Sequence, residues 1–216
     1  MLKDQKVKNM VILAMLTAIS YVIVALIRIP VVAFLSYEPK DVVITIGGFL
    51  LGPTASFVIS LLVSLLEMVT FSQTGPIGAL MNLISTCSFA CTAAFIYKKK
   101  RTLGGAILGL AVGSIVMTGV MLLWNWLITP LYMGVAREAV EGMLIPMFLP
   151  FNLLKAGLNT AFTLILYKPL VIALRKAKLV AVSGRKQGKS KLGVYPLAAG
   201  LLATCIFLLL VFMGKI

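Results

Sequence analysis

The chain has 216 residues, 61% hydrophobic and only 12% charged, with a mean hydropathy of +1.07. A water-soluble domain would be near a quarter charged and about half apolar, so this composition excludes one and leaves an integral membrane protein. The net charge of +14, from 20 basic against 6 acidic residues, would suggest nucleic acid in a soluble chain. Here the basic residues flank apolar runs, as in cytoplasmic loops facing anionic lipid, and no nucleic-acid partner is expected.

A membrane-spanning helix needs about 20 mostly apolar residues. The first such run, 8–27, follows Lys3, Lys6 and Lys8 and ends at Arg28 and Pro30. It has no small-residue cleavage site and reads as a membrane helix, not a removed signal peptide. A loop rich in aromatic, proline and acidic residues follows. The segment 41–51, closed by Gly52-Pro53, is too short to span unless it begins inside that loop or tilts. Glu38 and Asp41 flank Pro39-Lys40, spaced for a lid or a cap, and Asp41, just before an apolar run, is expected to cap the helix.

The next helices are expected at 54–71, then at 77–97 after the turn 72–76, stopping at Lys98-Lys99-Lys100-Arg101. The run 103–128 carries five glycines for close helix packing. A mixed loop with Arg137, Glu138 and Glu141 leads to 149–174, and a basic linker precedes a last apolar run, 192–213. The fold is therefore an all-α integral membrane bundle of six transmembrane helices plus a C-terminal seventh. Its expected organisation is a six-helix substrate-binding body at 1–176, a cytoplasmic basic linker at 177–191 and an additional hydrophobic helix at 192–216. The basic clusters put the N-terminus in the cytoplasm. A β-barrel would instead alternate polar and apolar residues in short strands.

Depth follows from residue count at about 1.5 Å of rise each. On this topology Glu67 lies near the outer end of its helix, Asn82 one to two turns into the next, and Asn125 near the outer end of the fifth. Asn152 and Lys155 occupy the first turns of the sixth, three residues apart on one face. Hydrocarbon makes buried amides and charges costly, so a convergent set of this kind points to a site for a polar small molecule. Amides both donate and accept while an ammonium only donates, which suits a ligand rich in carbonyls, ring nitrogens and hydroxyls. Trp124, Trp126, Tyr132 and Phe151 lie near enough in sequence to stack on a planar ring. The blander alternatives are asparagines acting as interhelical glue and a structural Glu67–Lys155 pair.

Catalysis finds little support. The chain has no histidine and no carboxylate dyad or nucleophile–base pair, so it reads as a non-enzyme without cofactor. Cys87, Cys91 and Cys205 are odd in number and lie within apolar runs, which argues against disulfides and a metal site.

These residues resemble the substrate-binding S components of energy-coupling factor (ECF) vitamin transporters, and among them the riboflavin-specific (RibU-like) type. The likeness covers about 8–176. It is carried by the small-residue face Ala14–Ala18, by Tyr37-Glu-Pro-Lys-Asp41 with the following Gly-Gly-Phe-Leu-Leu-Gly-Pro, by Thr74 to Asn82, by Asn125 and by Asn152-Leu-Leu-Lys155. It implies that Asn125, Asn152 and Lys155 bond the flavin ring and ribityl chain, and that Ala14 and Ala18 dock a transmembrane coupling protein. It also implies two ATPase subunits as partners in a bacterial plasma membrane. Glu67 and Asn82 come from depth alone, and the seventh run departs from the six-helix pattern. The chain has no GxxxxGK[ST] loop of its own. An S component for folate, pantothenate or thiamine is the near alternative, and a self-sufficient secondary transporter or channel the distant one.

Overall fold

The computed structural model describes residues 2–33, 35–70, 75–176 and 194–214. Residues 71–74, and with them most of the turn expected at 72–76, and the basic linker lie outside the described residues, while Gly75 and Pro76 open the fourth helix. The helices are α1 (Leu2–Leu26), α2 (Lys40–Leu51), α3 (Pro53–Thr70), α4 (Gly75–Lys99), α5 (Leu103–Met133), α6 (Arg137–Met143), α7 (Leu149–Lys176) and α8 (Val194–Phe212). Among the described residues, six stretches are long and apolar enough to cross a membrane: α1, α3, α4, α5, the α6–α7 run and α8. The chain is a multi-pass, all-α membrane protein.

The short second helix is the structural centre. Every residue from Lys40 to Phe49 is buried, because α1, α3, α4 and α7 pack around α2. A helix apolar on all sides suits such enclosure. At about 1.5 Å per residue its 12 residues fall well short of the roughly 30 Å hydrocarbon layer, which it does not have to cross alone. On α1, Ile12, Leu16, Ser20 and Val24 recur every fourth residue and are buried, while Ala14 and Ala18 point outward.

The most extensive helix pairing joins α4 and α5, and glycine allows it. A Cβ at Gly109 would lie 2.6 Å from the Ala93 carbonyl oxygen, and one at Gly113 2.7 Å from that of Phe89. In lipid, where association rests on close van der Waals packing, such backbone approach holds helices together.

Three departures from the sequence expectation stand out. Residues 29–37 form a hairpin of β1 (Ile29–Val32) and β2 (Leu35–Tyr37), antiparallel, with Ile29 opposite Tyr37. The fifth helix continues through Pro130 to Met133, where Gly134 takes a left-handed conformation (φ 64°) and its N–H bonds the Pro130 carbonyl. Proline one turn from a helix end disturbs little of the hydrogen-bond ladder beyond it. Ahead of α7, Leu144–Phe148 form a π-helical turn that makes α6 and α7 continuous where a loop was expected.

Candidate functional site

The polar side chains gather at the end of the bundle where the hairpin enters, and the start of α2 is their hub. The Asp41 carboxylate is fully buried and accepts from Thr86 Oγ1 on α4 (2.7 Å) and Asn159 Nδ2 on α7 (3.3 Å). Lys155 Nζ lies 3.2 Å from the same carboxylate and donates to Ser85 Oγ (3.3 Å). Tyr37, at the end of the hairpin, donates its hydroxyl to Asn159 Oδ1 (3.1 Å). Burial, and then the charge on Asp41, push the Tyr37 phenol up, so it stays a donor. One negative and one positive charge thus sit buried among four neutral partners, which is the arrangement that makes a buried pair tolerable.

A second network occupies the other side of the same helix end. Lys40 bonds Glu67 on α3 and lies 2.7 Å from Glu38 Oε2. Arg28 Nε donates to Glu38 Oε1 (2.8 Å), and Asn82 Nδ2 on α4 donates to Glu67 Oε2 (3.1 Å). Lys40 and both carboxylates are buried, while Arg28 lies at the rim. Burial by itself would raise the Glu38 carboxyl, but Lys40, Lys155 and Arg28 outweigh it and hold that group below the usual range.

The five residues expected from depth divide into three groups. Glu67 and Asn82 meet directly; Lys155 joins the Asp41 network, so the Glu67–Lys155 pair is replaced by Glu67–Lys40 and Lys155–Asp41. Asn125 and Asn152 are buried, but each amide donates one turn back along its own helix, to Met121 O and to Phe148 O (both 2.7 Å), and Thr129 Oγ1 donates to Asn125 Oδ1. The expectation that Asp41 caps α2 is overturned: Pro39 holds the cap position without a side-chain bond, and the Asp41 carboxylate turns inward to the cations and amides. Of the aromatic residues, Phe151 is buried, whereas Trp126 lies under Arg137 (4.9 Å) and donates to Glu141, and Tyr132 is exposed. Those two face the surface.

Sequence reasoning missed Tyr37, Lys40, Ser85, Thr86 and Asn159 as members of the cluster. Asn159 had a visible signal, since 152, 155 and 159 continue one helix stripe. Lys40 and Asp41 had another: a charged pair opening a helix with no polar face has only the interior in which to put it. Cavities among the described residues lie elsewhere. One of about 60 Å³ sits by Gly52 and Arg101 at the opposite end of the bundle, and one of about 310 Å³ lies between the hairpin and the end of α8.

The chain is thus a membrane-embedded helical bundle whose strand hairpin lies against a charge-balanced polar cluster. The model of the family "ECF transporter, substrate-specific component" matches residues 8–167, and the chain belongs to that family. It is 30% identical over 184 residues to the riboflavin transporter RibU of Staphylococcus aureus, covering 81% of this chain and 96% of that protein. It is 29% identical over 176 residues to the riboflavin transporter FmnP of Bacillus subtilis, covering 76% and 92%. Among solved structures, the S component of a bacterial ECF transporter superposes with a TM-score of 0.67 at 30% identity, over 79% of this chain and 99% of that one.

Proposed function

We propose that this chain is the riboflavin-binding S component of a bacterial ECF transporter, taking the vitamin at the hairpin end and delivering it inward with a coupling protein and two ATPases. The reading is supported first by the relatives, which are riboflavin transporters matched over most of their length. The site chemistry agrees. A flavin presents two ring carbonyls, ring nitrogens, an N–H and a polyhydroxyl chain, and the cluster offers amides, hydroxyls, an ammonium and a carboxylate. The single observation that carries the site assignment is the convergence of α2, α4 and α7 on Asp41, with Lys155 and Asn159 from one face of α7.

Because these groups satisfy one another, ligand entry exchanges their bonds for bonds to the vitamin. Opening the hairpin exposes Tyr37, Glu38 and Asp41 together, and Asn125, Asn152, Lys155, Asn82 and Glu67 line the path beneath. The outward-facing Ala14 and Ala18 give α1 a smooth surface on which a coupling helix can sit closely. The N-terminus and the 177–191 linker are cytoplasmic, the body is 1–176, and the chain acts as a binding subunit, not an enzyme. Riboflavin is cargo and not a resident cofactor.

The test is a vitamin panel. Riboflavin should raise the unfolding temperature of the purified protein and lose its fluorescence on titration, while folate, pantothenate and thiamine do neither. A thermal shift with one of those three and none with riboflavin would transfer the assignment to that vitamin.

A further inference from the structure

Helix α8 lies beyond the 8–167 stretch that matches the family, and its packing is one-sided. Ala198 and Cys205 are buried and Leu201, Leu202, Leu209 and Phe212 are half-buried, a stripe at spacings of three and four. Leu197, Ile206, Phe207, Leu208 and Val211 face outward.

The stripe touches two things. Its middle is keyed into α7: a Cβ at Gly157 would lie only 2.6 Å from Cys205 Sγ, so glycine makes the notch that receives that side chain. Its end reaches the hairpin, where Phe212 and Met213 face Pro30, Val31, Val32 and Ala33 across the 310 Å³ cavity. Leu209 and Phe212 belong to the same apolar cluster as Val31, Leu35 and Tyr37. The hairpin rests, through this cluster, on α7 on one side and α8 on the other. Tyr37, at its open end opposite Ile29, donates to Asn159, which in turn donates to Asp41.

We infer that α8 is a positioning element for the binding site: it holds the hairpin on α7 and thereby sets Tyr37 over Asn159 and Asp41. Release of α8 frees the hairpin, and Tyr37 with it, while Asp41, Lys155 and Asn159 stay on helices that α8 does not hold in place. The ligand then enters and leaves faster, while the helices around α2 keep their packing. The role of Tyr37 as a ligand gate rests on the function proposed above; the mechanical coupling of α8 to the hairpin does not.

The experiment is hydrogen–deuterium exchange on the full-length protein in detergent, read segment by segment, for the unaltered chain, for Gly157→Leu and for the double variant Leu209→Ala/Phe212→Ala. Gly157→Leu pushes α8 outward from its middle; the double variant removes the hairpin contacts and leaves the Cys205 notch intact. Exchange across 29–37 should quicken about tenfold in at least one variant, the scale expected from losing one or two large apolar contacts. Exchange in α3, α4 and α5 should hold. Unchanged hairpin exchange in both variants overturns the inference, and so does a uniform rise through every helix, which marks general destabilisation. Stopped-flow riboflavin fluorescence supplies the second readout, with dissociation quickened more than affinity is lost. Hairpin-specific exchange in a protein that binds no riboflavin would leave α8 its role and remove the vitamin.

Discussion

Removing the Asp41 carboxylate should be worse than removing the whole ion pair. Asp41 is fully buried and Lys155 is 7% exposed, with 3.2 Å between them. Asp41→Ala leaves the ammonium with Ser85 as its one neutral partner, takes the acceptor from Thr86 and Asn159, and opens a small void. Breaking a buried pair in this way costs about 3–5 kcal/mol. For a chain of this length each kcal/mol shifts the midpoint by about 2–4 °C, so Tm should fall by about 6–20 °C. Asp41→Asn/Lys155→Met removes both charges, keeps an amide near Thr86 and fills the lysine's volume with an apolar chain. Replacing both members of a buried pair is often neutral or better, so this double variant should recover most of the loss. The assay is thermal unfolding in detergent followed by Trp124 and Trp126 fluorescence, across the full cycle of single and double variants. A double variant at least as unstable as the sum of its singles would mean that the two charges do not sense each other, and the reading of Asp41 as the hub would fail.

Further outcomes follow from the same geometry. Lys40→Met leaves Glu38 and Glu67 buried without the cation between them and should lower Tm more than Glu38→Gln, which leaves a neutral amide beside Lys40; the reverse order would contradict the triad. Gly113→Leu drives a side chain into the Phe89 carbonyl and should lower Tm or prevent folding, whereas Gly119→Leu, which meets nothing within 4 Å, should be tolerated. Ala14→Trp or Ala18→Trp should abolish riboflavin uptake by cells while leaving equilibrium binding by the purified protein unchanged; uptake that survives both would remove the docking role of α1. Glu38 is held below the usual carboxylate range, so its contribution is intact above that range and is lost only as pH falls through its lowered value. Hairpin protection, measured relative to the intrinsic exchange rate at each pH, should therefore hold from neutral pH down to the usual carboxylate range and fall only below it, and Glu38→Gln should abolish that acid-induced loss.

The membrane helices were legible because an apolar run of about 20 residues bounded by lysines, glycine or proline has few other uses. Residue counting also put Glu67, Asn82 and Lys155 at a common depth, and their networks do share the hairpin end of the bundle. It could not assign partners, since depth fixes the height of a side chain on its helix and not the direction it faces across the bundle. Glu67 consequently meets Lys40 and not Lys155. The strands at 29–37 carry too few residues for a period to show, and their pairing depends on packing against Phe148, Phe151 and α8. Asp41 was misread because its local preference, capping, yielded to a tertiary one: two amide or hydroxyl donors and an ammonium waiting in the core.

The claim on which the rest depends is that riboflavin sits at the hairpin end of α2. A structure of the flavin-loaded protein tests it directly: the ring should lie within hydrogen-bond distance of Asn152 or Lys155, beneath the hairpin, with at least one of the pairs at Asp41 or Glu67 exchanged for a bond to the vitamin. Flavin density at the far end, beside Tyr97 and Arg101, with the Asp41 and Glu67 networks intact, would contradict the account.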